Sequence, residues 1–151
     1  MSVVTASIEI AVPPEEVWDL VMDPAALKRW VTIHRRLLRA DDGPVRCGYE
    51  MDQRIHMRGV SVDVHWELVE CRPCELAVWD GRGPARSKAH TEYRLSGTDQ
   101  GTRFDYKNDF HAPLGPVGAL VSRALVGGMP AREAKRTLQQ LRDCLEENQS
   151  K

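Results

Sequence analysis

The chain has 151 residues, 21 basic and 22 acidic, with a net charge of −1. That length suits a single domain over 1–151 and can bury a core without disulfides or metal. The near-zero charge offers no field to draw nucleic acid, no apolar run reaches the ~20 residues of a membrane span, and MSVVTASIEI lacks the basic and apolar blocks of a signal peptide, so a cytoplasmic protein without integral membrane association is expected.

In chain order, VVTASIEIAV (3–12) alternates as a strand and Pro13-Pro14 stops it. PEEVWDLVM (14–22) opens with proline and two glutamates, which is helix-start chemistry. Asp23-Pro24 breaks that helix and caps a second short one, AALKRW. Strand-like runs follow at about 31–39, 49–57, 60–71, 75–81, 86–96 and 102–111, each bounded by Gly or Pro. The segment from about 115 to 147 reads as helical. Strands joined by tight turns imply an antiparallel sheet, and one long helix must bury its apolar stripe against it.

Two hairpins can be put in register from their charges. A turn at Arg58-Gly59 pairs Ile55 with Val62 and Gln53 with Val64, which sets Arg54 across from Asp63 and Asp52 across from His65. Pairing Tyr93 with Tyr106 sets Arg94 across from Asp105, Glu92 from Lys107 and His90 from Asp109; a slip of two residues would oppose like charges. A third hairpin turning at Cys71–Cys74 pairs Trp66 with Trp79. The CxxC there invites a redox or zinc reading, but strands flank it and no second ligand pair exists, so a plain turn is expected. No cofactor or metal is called for.

The inward phases of these strands are apolar and aromatic except for Gln53, Thr91, Tyr93, Tyr106 and Asn108. A buried amide or phenol without a partner costs about 1–3 kcal/mol, so these groups need one another, water or a ligand. Four of the five histidines, at 56, 65, 90 and 111, take the outward phase; His34 has no phase, because VTIHRRLL alternates badly. The interior thus offers phenols, amides and hydroxyls, with no inward Asp, Glu, His or Lys on the well-phased strands. The cluster Lys28, Arg29, Arg35, Arg36 and Arg39 reads as a solvated face, since no phosphate-binding glycine loop accompanies it.

IEIAVPPEEVWDLVMDPAALKRW, a strand run containing AVWDGRG and EYRL, then GTRFDYKNDF and a closing helix together resemble the START-like, or SRPBCC, superfamily of polyketide cyclase/dehydrase-like and lipid-transfer proteins. The resemblance implies an α+β helix-grip fold: a seven-stranded curved antiparallel sheet around a long C-terminal helix, two short helices between strands 1 and 2, and a cavity for apolar or amphipathic small molecules. It also allows cyclases, aromatases and protein-interaction modules; an apolar patch on residues 114–126 would favour the last.

Within the last helix, Ala134, Leu138, Leu141 and Leu145 form one apolar row, whereas Val117, Leu120, Val121, Ala124, Leu125 and Val126 form a wider band. Gly127-Gly128-Met129-Pro130 separates them, with Pro130 either starting a new helix or marking a movable gate over the cavity. The expected ligand-binding set is Gln53, Trp66, Trp79, Tyr93, Phe104, Tyr106 and Asn108 from the sheet, with Leu120, Leu125 and Met129 from the helix. Trp18 and Trp30 are expected to anchor the short helices, with Trp30 also a candidate for the cavity edge. For an enzyme, Tyr93 or Tyr106 would polarise a carbonyl and Asn108 would orient it. A hydrophobic or aromatic small molecule is the expected partner, the protein being a monomer or weak dimer. A cavity of about 300 Å³ left dry would cost ~7 kcal/mol, so an occupant is expected.

Overall fold

In a computed structural model of the chain, the described residues are 2–57, 59–111 and 130–149. Seven strands form one antiparallel sheet: β1 (Ser2–Ile10), β2 (His34–Ala40), β3 (Glu50–Met57), β4 (Val60–Arg72), β5 (Leu76–Arg82), β6 (Lys88–Thr98) and β7 (Gly101–His111). Their spatial order is β1-β7-β6-β5-β4-β3-β2, so β1 and β2 are the edges. Two short helices, α1 (Pro14–Val21) and α2 (Leu27–Trp30), lie between β1 and β2, and α3 (Ala131–Gln149) closes the chain. The helix-grip architecture read from the sequence is the one observed.

Local chemistry explains the helix ends. Pro14 opens α1 with Glu15 and Glu16 in its first turn, and Val17, Leu20 and Val21 face the core. Asp23 accepts a 3.0 Å hydrogen bond from the Ala25 N–H and so caps the 3₁₀ turn that leads into α2. The Pro130 carbonyl accepts from the Ala134 N–H at 3.0 Å, which makes Pro130 the entry to α3. The helix expected from 115 therefore has a start at this proline. Residues 115–129, with Leu120, Leu125, Met129, the apolar patch and the proposed gate, lie outside the described residues.

α3 buries Ala134, Leu138, Leu141 and Leu145, the row read from the sequence, together with Thr137. It lies against β1 and α2. Hydrogen bonds fix it there: Gln140 Nε2 donates to the Arg29 carbonyl at 2.9 Å, and the Ala11 N–H donates to Glu146 Oε2 at 3.2 Å. Trp30 is fully buried and meets Tyr93 and Phe104 edge-on, with ring centroids 5.8 and 6.4 Å away.

Both charge-derived registers hold. Ile55 faces Val62, Arg54 faces Asp63, Tyr93 faces Tyr106 and Arg94 faces Asp105. The third does not: Trp79 pairs with Leu68, and Trp66 with Gly81. The turn after β4 spans Pro73–Glu75, with Arg72 paired to Leu76 and Cys74 at φ 63°, and the register shifts again between Leu68 and Glu70. Trp66 uses the space thus placed opposite it, since a Cβ on Gly81 would stand 2.7 Å from its indole.

Gly101 closes the last hairpin at φ 149°, where an added Cβ would lie 2.2 Å from the Ile10 carbonyl oxygen. Both the dihedral and the backbone approach demand glycine. Gly101→Ala is expected to lower stability by at least about 1–3 kcal/mol, measured by urea denaturation.

Candidate functional site

Among the described residues, the concave face of the sheet, α2 and Thr137 of α3 line a partly open cavity of about 90 Å³. Its wall is chiefly aliphatic and includes Met22, Met51 and Met57, whose unbranched side chains repack readily. Leu27, Val31 and Ile33 cover it from the α2 side, and Thr137 reaches it from α3. The volume is well below the 300 Å³ used above. At ~24 cal/mol per Å³ a dry void of this size costs only ~2 kcal/mol. The energetic demand for an occupant is correspondingly smaller than the sequence argument held.

Of the expected ligand-binding residues, Gln53, Trp66, Trp79, Tyr93, Tyr106 and Asn108 line this cavity. Phe104 does not; it is fully buried behind the wall, with its ring centroid 5.5 Å from Tyr93. Trp30, expected first as an anchor, also lines it.

Two polar groups of side chains are built into the wall. In one, Thr91 Oγ1 donates to Asn108 Oδ1 at 3.4 Å, and the Asn108 amide stands near enough to the Tyr106 hydroxyl to favour its ionised form slightly. Tyr93 stacks beside Tyr106 at 6.1 Å and 30°. Burial pushes both phenols far above their ordinary pKa, so each remains a neutral O–H. In the other, Trp66 Nε1 donates to Gln53 Oε1 at 2.9 Å, and Gln53 Nε2 lies 2.8 Å from His34 Nδ1. An indole N–H can only donate, so the Gln53 oxygen must face Trp66 and its NH₂ must face His34. His34 then accepts at Nδ1 and is neutral, with its proton on Nε2. Burial holds its pKa below the ordinary 6.5, in agreement. Gln53 and Trp66 are in the expected set; His34 is not, because β2 carries bulges between His34 and Arg36 and between Leu37 and Arg39, which destroy the two-residue period.

The other four histidines lie on the outer phase, as expected. His65 sits between Asp52 (2.6 Å from Nδ1) and Glu50 (3.0 Å from Nε2). His90 sits likewise between Asp80 (2.7 Å) and Glu92 (3.3 Å). Both ring nitrogens can donate only in the imidazolium. The hydrogen bonds to Asp52 and then Glu50 raise the His65 pKa. At His90 burial opposes the charge, but the bonds to Asp80 and Glu92 outweigh it and the pKa also rises. At the CxxC, burial pushes the Cys71 and Cys74 thiols up, the opposite of an activated thiolate. Among the described residues, no cluster of His, Cys, Asp and Glu is placed to hold a metal ion. No described helix is long and apolar enough to cross a membrane.

A one-layer sheet gripping a terminal helix over an apolar cavity defines the class of START-like small-molecule-binding folds. The chain belongs to the family described as polyketide cyclase/dehydrase and lipid transport, whose model matches residues 1–146. A curated relative, "Toxin Rv0910" of Mycobacterium tuberculosis, is 26% identical over 127 residues, which is 83% of this chain and 88% of that protein. Among solved structures, a protein of unknown function from Staphylococcus aureus, SA2116, superposes with a TM-score of 0.70 at 12% identity, over 99% of this chain and 96% of that one. CV1439 from Chromobacterium violaceum gives 0.66 at 17% identity, over 97% and 99%. These two show the fold alone.

The histidines should titrate on opposite sides of pH 6.5, their ordinary value. His34 favours the neutral form, so its contribution to stability is complete above 6.5 and is lost as pH falls below it. His65 and His90 favour the charged form; theirs is complete below 6.5 and is lost as pH rises through the raised values. Each outer histidine is over a third exposed and contributes below about 1 kcal/mol. NMR titration of the imidazole resonances checks the order: His34 below 6.5, His65 and His90 above it.

Proposed function

We propose that the chain is one ligand-binding domain, spanning 1–151, that carries or senses a hydrophobic or aromatic small molecule in this cavity. The observation that supports it most is the wall itself. Aliphatic side chains and aromatic rings surround a few polar groups, and Lys88, an exposed residue, is the sole Asp, Glu, Lys, Arg or His among the described lining residues. Such a wall suits an uncharged ligand, and the three methionines let a tight cavity adapt to one larger than the free volume. The family's description, which includes lipid transport, agrees with carriage.

A second reading, a cyclase or aromatase, draws on the Thr91–Asn108 hydrogen bond beside Tyr106. It would have Tyr106 or Tyr93 polarise a substrate carbonyl while Asn108 orients it. Conversion of a bound ligand, followed by mass spectrometry, separates catalysis from carriage.

Native mass spectrometry of the purified protein is expected to show a co-purified small molecule. A ligand present at 100 times its Kd should stabilise the fold by about 2.7 kcal/mol, roughly 5–10 °C in Tm. Val64→Phe places a ring in the free space from β4. It should weaken binding of 1-aminoanthracene by about tenfold or more with the far-UV circular dichroism unchanged. Undiminished binding in that variant would move the ligand site elsewhere.

A further inference from the structure

His34, Gln53 and Trp66 form a hydrogen-bond relay that runs from behind the cavity wall into it. Gln53 and Trp66 line the cavity, and His34 does not. His34 is half-buried at the start of the edge strand β2, within reach of protons from solvent. The direction of the relay is fixed at its inner end. An indole N–H can only donate, so the 2.9 Å bond from Trp66 holds the Gln53 oxygen, and the amide NH₂ faces His34 Nδ1 at 2.8 Å. Nδ1 accepts only while it carries no proton. A proton there sets donor against donor. If Gln53 then turns its oxygen to His34, its NH₂ meets the Trp66 N–H, and the same conflict moves one step inward. Gln53 is buried, so bulk water does not take up the lost bond. The Trp66 indole lies against Gly81, where an added Cβ would stand 2.7 Å from it, so it has no room to withdraw into the sheet. Among the described residues, the charged groups of the elements around His34 are engaged elsewhere or exposed. Arg35 and Arg36 of β2 and Lys28 and Arg29 of α2 are exposed. On β3, Arg54 pairs with Asp63 and His56 with Ser61; on β4, His65 lies between Asp52 and Glu50. Asp23 accepts from Ala25, and Glu133 of α3 accepts from Thr32. Burial accounts for the lowered pKa of His34.

We propose that His34 makes the cavity proton-sensitive: a proton at Nδ1 displaces the Gln53 amide and with it the Trp66 indole, so the cavity holds its ligand at neutral pH and releases it in mild acid. This rests on the cavity being the ligand site and adds how that site is regulated. Ligand and proton are then reciprocal. A ligand that fits the wall built around neutral His34 must in turn disfavour protonation of that ring. His65 and His90 lack this link, since both ring nitrogens of each are held by carboxylates of the outer face.

Ligand-free protein tests the relay first. In ¹H–¹⁵N NMR spectra from about pH 7.5 to about pH 5, the Trp66 indole N–H resonance should move with the midpoint at which the His34 ring titrates. An indole resonance that stays still while His34 takes its proton would overturn the proposal. Binding of 1-aminoanthracene, whose amine stays uncharged over that range, tests the consequence. Its Kd should rise by about fivefold between the two ends of the range, and the saturated protein should titrate His34 at a midpoint at least about 0.7 pH units lower, the reciprocal shift. His34→Asn keeps an acceptor oxygen near the Nδ1 position and cannot take the proton. In it the ratio of the two Kd values should fall to within about twofold of one. If that variant does not fold, Trp66→Phe, which removes the donor that orients Gln53, should shrink the ratio likewise. A ratio that persists in His34→Asn would place the response in another group and overturn the proposal. A wild-type Kd that does not change with pH would also overturn it and leave the cavity reading standing. No binding of 1-aminoanthracene at either pH would remove the cavity reading and the proton response with it.

Discussion

One helix cannot cover a seven-stranded sheet. Strands ~4.8 Å apart spread the sheet over roughly 30 Å, whereas a helix with its side chains is about 10–12 Å across. α3 has 19 residues and covers a strip along β1 and α2. The rest of the concave face still carries an unbroken inward row from nearly every strand. Among the described elements outside α3, α2 covers part of it with Trp30, edge-on to Tyr93 and Phe104. Among the described residues, the cavity lies between Trp30, Thr137 of α3 and the strands β3 to β7.

The outer face is governed by a different constraint. It is exposed to water, so its charges can select a register without having to be paired tightly. Arg54 and Asp63 do meet directly at 2.8 Å, but Arg94 leans toward Glu92 on its own strand at 3.5 Å, and Arg103 toward Asp105 at 3.1 Å. Opposition across strands excludes the wrong register even where the final contact runs along a strand. That is why both charge-derived hairpins could be read from sequence while the individual ion pairs could not.

Where a hairpin lacked such charge pairs, the reading slipped. The Cys71–Cys74 turn was expected to be two residues long, and the longer turn moves the pairing by an odd number of positions. That shift alone would have turned Trp79 to solvent. The further shift between Leu68 and Glu70 brings it back to an even displacement, so Trp79 keeps the inward phase even though its partner is Leu68. The phases of Gln53, Tyr93, Tyr106 and Asn108 were legible for a simpler reason: β3, β6 and β7 alternate without a bulge. His34 was not, because bulges in an edge strand leave no period to follow, and its place beside Gln53 depends on a backbone irregularity that composition does not encode.

The volume of the cavity was equally out of reach of the sequence, since it depends on how closely the covering elements approach. Its modest size bears on the ligand binding proposed above. A large hollow would be filled for its own stability and would accept almost any greasy molecule. A void of about 90 Å³ costs ~2 kcal/mol against a typical domain stability of ~5–15 kcal/mol, so the fold can tolerate it empty. Hydrophobic burial still supplies affinity, but it discriminates poorly between molecules of one shape. Discrimination then falls to the few fixed polar atoms in a wall whose methionines can move. Tyr93 packs against Trp30 and Phe104 and stacks on Tyr106, so these rings hold one another in place in that wall.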